Sequence, residues 1–146
     1  MFLSLASSIA LATLSSPVHS AQIDHASNAY TADYQTRSTL HLDQVHAVHP
    51  MREVQPRCRW KADLVVHRAV EGRGASVAAL SKSIHHFAPL ADTYAGSCAS
   101  ARPQIEAAVA RHTRAHATEA AAVARQDGAV LSSELDSIHA LTVKGG

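Results

Sequence analysis

The sequence predicts an α+β fold. A short antiparallel β-sheet of two or more strands, centred on residues 59–67, is expected to pack against a C-terminal pair of alanine-rich helices, with one disulfide holding them together. Three observations support this prediction: polar and apolar side chains alternate over residues 58–67, helix-forming residues dominate after Pro103, and the chain contains two cysteines, Cys58 and Cys98. Together they favour a small cross-linked domain that contains both strands and helices.

The strand prediction depends on the segment CRWKADLVVH. Its two sets of alternating side chains point to opposite faces of a strand, because the side-chain period of a strand is two. The core face would carry Cys58, Trp60, Ala62, Leu64 and Val66, and the other face Arg59, Lys61, Asp63, Val65 and His67. The two glycines of EGRGAS, residues 71–76, predict a turn after this strand.

Two other segments carry weaker β or mixed patterns. Residues 38–50 alternate in two short pieces, with a change of parity near Asp43-Gln44 that predicts a bulge or two separate strands. Residues 77–87 fit two structures: Val77, Leu80, Ile84 and Phe87 have helical spacing, whereas a strand is the alternative.

The C-terminal third predicts helices. Residues 101–129 include 11 alanines, and Pro103 suits a first helical turn. Asp127-Gly128 predicts the end of the first helix. A second helix then follows over residues 129–141, where apolar residues recur at helical spacing; the alternative is one long, interrupted helix.

The N-terminus predicts export. The uncharged apolar run Phe2–Leu14 is followed by small and polar residues, so we expect residues 1–20 to be a signal peptide cleaved after Ser20. A buried N-terminal helix is the alternative. Residues 21–37 show no sustained period and predict a flexible arm, and residues 38–146 a single α+β domain. We therefore expect a periplasmic or secreted protein.

Neither a membrane anchor nor a lipid anchor is expected. The apolar run is shorter than the ~20 residues that cross a bilayer, and no later segment approaches that length. No cysteine occupies position 21, where a lipid would be attached. In the oxidising compartment to which export leads, Cys58 and Cys98 are expected to form a structural disulfide rather than a catalytic thiol or a thiolate metal site.

The charge of the chain argues against nucleic acid as a partner. The formal net charge is +1, which is too small for an electrostatic footprint on a phosphate backbone. A local excess of basic residues lies between Met51 and Arg73. We interpret it as the solvated face of a strand, with a contact to anionic envelope material as the alternative.

Eleven histidines make a metal site worth testing. In a continuous helix, His112, His116 and Glu119 fall within about 60° of one another, on the stripe that also carries Ile105 and Val109. Two imidazoles four residues apart and a carboxylate could bind Zn(II), Cu(II) or Ni(II). A half-exposed helix face explains the same pattern, and Thr113 stands where the H-E-x-x-H motif requires glutamate.

Catalytic motifs are missing from the sequence. The chain has neither a G-x-S-x-G elbow nor a glycine-rich phosphate loop, and no motif predicts a cofactor or a catalytic residue. The sequence therefore predicts a small exported, non-enzymatic structural or binding protein, whose partner is an unidentified protein or envelope component. The alternative function is a histidine-based metal-binding protein of the cell envelope.

Overall fold

The computed structural model describes residues 12–46 and 55–145. It contains a six-stranded antiparallel sheet packed with two C-terminal helices, so the predicted fold class is confirmed. The strands are β1 (Ala12–His25), β2 (Asn28–Val45), β3 (Arg57–Gly72), β4 (Ala75–Ser76), β5 (Lys82–His86) and β6 (Leu90–Ala95). The helices are α1 (Cys98–Ala115) and α2 (Ala117–Lys144).

Strand β3 pairs with four of the other five strands of the sheet. The strand order is β1-β2-β3-β4, and β5 and β6 also pair with β3. The three later strands pair antiparallel with successive parts of β3: β6 with residues 57–62, β5 with residues 65–68 and β4 with residues 71–72. The predicted strand is therefore confirmed and extends beyond both ends of its alternating segment.

The described chain divides into two compact units. The first comprises residues 12–14, 38–46, 55–64 and 88–114. Its core joins Leu40 of β2 and Trp60 of β3 to Ile105 and Val109 of α1. Three alanines complete that core, Ala62, Ala101 and Ala108. This interior contains little apolar area per residue, and burial stabilises by roughly 25 cal/mol per Å².

The Cys58–Cys98 disulfide lies within the first core. Cys58 is fully buried on the inner face of β3, and Cys98 is the first residue of α1. Their Cα atoms are 4.7 Å apart, and the bond joins positions 40 residues apart in sequence. The predicted disulfide is confirmed, and it is compatible with an oxidising, exported location.

The second unit comprises residues 15–37, 65–87 and 115–145. Its core packs Tyr34 of β2 and Val70 of β3 against Leu131 and Leu135 of α2. Leu80 joins this core from a 3₁₀ turn at Ala78–Leu80, which precedes β5. Of the two structures expected for residues 77–87, the strand is confirmed over Lys82–His86, which pairs antiparallel with β3, whereas residues 78–80 form the 3₁₀ turn.

The flexible arm predicted for residues 21–37 is wrong, because these residues lie in β1, β2 and the turn between them. The composition of the inner face of β2 explains why the sequence pattern did not predict this strand. Ala32, Thr36 and Ser38 are small or polar, yet they are buried alongside Tyr34 and Leu40. The strand also continues through Asp43 and Gln44, so of the two alternatives for this point the separate strands are wrong, and the bulge stays a prediction.

Strand β1 bears on the predicted signal peptide. Residues 1–11 lie outside the described residues, but Ala12 to Ser20 form the first part of β1. Val18 packs against the second core. Cleavage after Ser20 stays a prediction, and it would remove this part of β1.

The helix boundaries differ from those predicted. Helix α1 begins at Cys98 rather than at Pro103, because Ser97 caps it: its Oγ accepts from Ser100 N–H at 3.1 Å, and its carbonyl accepts from Ala101 N–H at 3.0 Å. Helix α2 continues through Gly128, so the predicted stop at Asp127-Gly128 is wrong. The interruption lies at His116. Within the described residues, neither helix is long and apolar enough to cross a membrane.

Candidate functional site

A fully buried arginine lies in the second unit. Arg68 occupies the inner face of β3 between Val66 and Val70, and all three side chains are 0% exposed. The interpretation of the basic segment 51–73 as a solvated face is therefore wrong at Arg68. It is consistent with Arg59, whose side chain is 67% exposed. Arg52 lies outside the described residues.

The guanidinium of Arg68 is held from three directions. Its Nε donates to the carbonyl of Leu80 at 2.9 Å, and its Nη1 donates to Asp127 Oδ2 at 2.7 Å. Its Nη2 donates to Glu134 Oε2. Both carboxylates belong to α2, so these bonds attach the helix to the inner face of β3 within the second unit.

Two further side chains complete this Arg68 network. Tyr34 Oη donates to Asp127 Oδ2 at 2.9 Å, and Lys82 Nζ donates to Glu134 Oε1. Two cations thus face two carboxylates, and each carboxylate accepts from two donors. A buried polar network is tolerated when its members are satisfied in this way.

The pKa values of the network follow from burial and charge. Burial raises the pKa of Tyr34, and the hydrogen bond to Asp127 raises it further. Burial alone would lower the pKa of Arg68 and raise that of Glu134. Hydrogen bonds and charge from Asp127 and Glu134 outweigh burial at Arg68, so its pKa is raised. Hydrogen bonds and charge from Lys82 and Arg68 outweigh burial at Glu134, so its pKa is lowered. The charged forms of Arg68 and Glu134 and the neutral form of Tyr34 are therefore favoured, which suits a structural role.

Alkaline pH should weaken the second unit through Tyr34. The folded state holds the Tyr34 proton more tightly than the unfolded chain, where the ordinary pKa is 10.0. This contribution to stability is complete below pH 10 and is lost as the pH rises, by up to about 1.4 kcal/mol per pH unit. Urea titrations between pH 9 and 11 should show the decline. Tyr34→Phe should flatten its slope, and an unchanged slope would contradict the assignment.

The second unit also contains a cavity of about 350 Å³. We call the four larger aliphatic side chains of its lining its floor: Val77, Leu80, Leu135 and Ile138. Leu80 and Leu135 belong to the second core, whereas Ile138 lies near the C-terminal end of α2 and is 38% exposed. This volume corresponds to roughly a dozen water molecules at ~30 Å³ each. It also lies within the range of small-molecule sites, about 300–1,000 Å³.

We call four polar side chains of the lining its rim: His25, Asn28, Arg73 and His139. Arg73 donates through Nε and Nη2 to Asn28 Oδ1, at 3.1 and 2.7 Å. His25 and His139 both line the cavity, and their rings pack edge to face, with centroids 5.8 Å apart. Asp136 orients the His25 ring through a 2.6 Å contact to Nε2. The lining therefore combines hydrogen-bond donors with aliphatic side chains.

Two tight turns support the rim. Ala26-Ser27 joins β1 to β2 with φ of 48° and 65°, and Arg73-Gly74 joins β3 to β4 with φ of 55° and 73°. Two positive φ values in a two-residue loop define a type I′ hairpin. Among the described residues, all non-glycine residues with positive φ lie in these turns. Two-residue hairpins favour these conformations because they match the right-handed twist of the paired strands.

Glycine is required where β3 passes the cavity. A Cβ on Gly72 would lie 2.7 Å from ring carbons of Tyr30, which is closer than real contacts allow. Tyr30 and Gly72 both line the cavity. The close approach of ring and backbone therefore fixes one wall.

The predicted metal residues are divided by the interruption at His116. His112 lies in α1, Glu119 in α2, and His116 between them has non-helical backbone angles. The continuous helix assumed for their common stripe is therefore wrong. His116 Nδ1 lies 3.4 Å from Glu119 Oε2, and His85 Nε2 lies 3.7 Å from Glu119 Oε1.

His85 and His116 both pack against the ring of Phe87. Phe87 lies 4.6 Å from both His85 and His116, measured between ring centroids. Within residues 12–46 and 55–145, no group of three or more histidine, cysteine, aspartate or glutamate side chains is placed to hold a metal ion. Metal binding by His112, His116 and Glu119 stays a prediction.

The fold and the cavity define a class, a small α+β protein with one disulfide and a partly apolar cavity. Comparison with protein-family models, with curated proteins and with solved structures finds no match to this chain. A fold does not by itself imply a function, and the cavity is the site whose geometry bears on one.

Proposed function

We propose that this chain is a small exported protein without enzymatic activity, which binds a ligand in the cavity of its second unit. The observation that supports this proposal is the combination of an apolar floor with a few polar groups at the rim. Ligand sites in proteins commonly have this composition, since apolar walls supply affinity and a few polar groups fix orientation.

Export is supported by two independent features. The first residues have the composition of a signal peptide, and the Cys58–Cys98 disulfide is compatible with an oxidising compartment. A domain with an alanine-rich core gains from a covalent cross-link, which persists outside the cytosol. We infer a periplasmic or secreted location.

The absence of catalysis is inferred from how the reactive groups are used. Both cysteines of the chain are joined in the disulfide, so neither offers a thiolate nucleophile. The carboxylates of Asp127 and Glu134 each accept hydrogen bonds from two donors in the Arg68 network. These groups are engaged in holding the fold, which favours binding over turnover.

Ligand binding can be tested with the apolar fluorescent probe anilinonaphthalene sulfonate. We expect saturable fluorescence enhancement with the folded protein, and a marked loss of it in Ile138→Phe, because the larger ring fills the cavity. Val130→Phe is the matched control, since Val130 is exposed on the same helix and does not line the cavity. Equal probe binding by the two variants, at unchanged melting temperatures, would overturn the proposal.

A further inference from the structure

We propose that the cavity takes a small apolar carboxylic acid, whose carboxylate binds Arg73 and whose apolar part lies on the floor formed by Val77, Leu80, Leu135 and Ile138. This inference rests on the proposed function, because it assigns a ligand class to the same cavity. It is argued from the charge of the lining, the donors of Arg73 and the composition of the floor.

The charge of the lining favours an anion. Among the described residues that line the cavity, Arg73 is the cation, His25 and His139 are titratable, and none is an aspartate or a glutamate. Asp136 contacts His25 Nε2, but it does not line the cavity and its side chain is 75% exposed. An anionic ligand would thus meet a cation in the cavity without facing a carboxylate from its wall.

The guanidinium of Arg73 has N–H groups that Asn28 does not use and that can donate to a ligand. Its Nε and Nη2 each donate to Asn28 Oδ1, which uses two of the five N–H groups of the guanidinium. Those bonds fix the plane of the group at the cavity rim. An oriented guanidinium matches the two oxygens of a carboxylate better than a mobile one, and such charge-assisted pairs are stronger than neutral hydrogen bonds.

The floor of the cavity determines the chemistry of the part of the ligand that does not carry the carboxylate. Four aliphatic side chains form it, and the ring of Tyr30 covers Gly72 at one wall. Such a surface is complementary to an aliphatic chain or an aromatic ring and has little to offer a sugar or a nucleotide. The carboxylate and the apolar part must therefore belong to one small amphipathic molecule.

The test is isothermal titration of the full oxidised chain with octanoate and with octanamide, which is its neutral isostere. We expect octanoate to bind at least about tenfold more tightly, because a hydrogen bond to a charged group is worth that ratio or more. Equal affinities would overturn the carboxylate inference and leave the proposed function standing. If neither compound binds and the fluorescent probe also fails, the proposed function falls with it.

Two variants test the role of Arg73. Arg73→Gln should remove the preference for octanoate, while Arg57→Gln, at an exposed position of β3, should keep it. Asn28→Asp places a competing carboxylate on the Arg73 guanidinium without altering Arg73 itself. This substitution should weaken the binding of octanoate by about tenfold or more and leave the affinity for octanamide unchanged. A preference for octanoate that survives both substitutions would contradict the assignment to Arg73.

Discussion

Replacing Arg68 by methionine should lower the free energy of unfolding by about 3–5 kcal/mol, because it leaves two carboxylates facing the core without their shared cation. The guanidinium is fully buried and donates to both Asp127 and Glu134. Methionine keeps the apolar stem but supplies no donor. Urea denaturation at pH 7, followed by circular dichroism, measures the loss.

The matched control for this substitution lies on the same strand. Arg59 pairs with Asp43 at the surface, so Arg59→Met should change stability by no more than about 1 kcal/mol. Combining Arg68→Met with Asp127→Asn and Glu134→Gln should restore much of the loss, since the uncompensated charges are then gone. Equal effects of Arg68→Met and Arg59→Met would show that the network contributes little.

Removing the disulfide should have an effect of similar size. The double variant Cys58→Ala, Cys98→Ala frees a loop whose ends are 40 residues apart, and we expect it to lower stability by about 4 kcal/mol in the chain-entropy model. The melting temperature should fall accordingly. Trp60, which is buried beside Cys58 in the first core, gives a fluorescence signal for the transition.

Reduction of the unmodified protein is the control for the two cysteine substitutions. It should produce the same destabilisation without changing any side-chain volume apart from the thiols. A double variant that melts at the same temperature as the oxidised protein would mean that the alanine-rich core is sufficient by itself.

Sequence reasoning succeeded where side-chain chemistry and backbone period agree. Cys58 to His67 alternate cleanly, and this segment lies in the middle of the sheet. The same period, continued two residues past Val66, places Arg68 on the inner face. That position was missed because an arginine is expected in water unless a partner is known. Its partners, Asp127 and Glu134, are too distant in sequence to be recognised.

Tertiary contacts explain the other differences. Asp127-Gly128 is a typical helix end, yet Asp127 is 7% exposed and bound by Tyr34 and Arg68, so the helix continues past it. Thr36 and Ser38 face inward on β2, which removes the alternation that marks a half-buried strand. Local propensity is a weak prior at such positions.

The cavity was beyond prediction for a different reason. Its wall is built from three separate stretches of chain, near His25, Arg73 and Ile138. Each stretch is unremarkable alone, and only the fold brings them together. The one local signal was the glycine pair of EGRGAS, which predicted a turn but not that residues of this turn line a cavity.

The position of β3 fixes the order in which its partners become available during synthesis. The chain makes β3 before the three strands that pair with its second edge, and these follow as β4, β5 and β6, matched to β3 from its C-terminal end toward its start. Cys98 comes three residues after the end of β6. The disulfide to Cys58 therefore cannot form on the growing chain until all six strands have been synthesised.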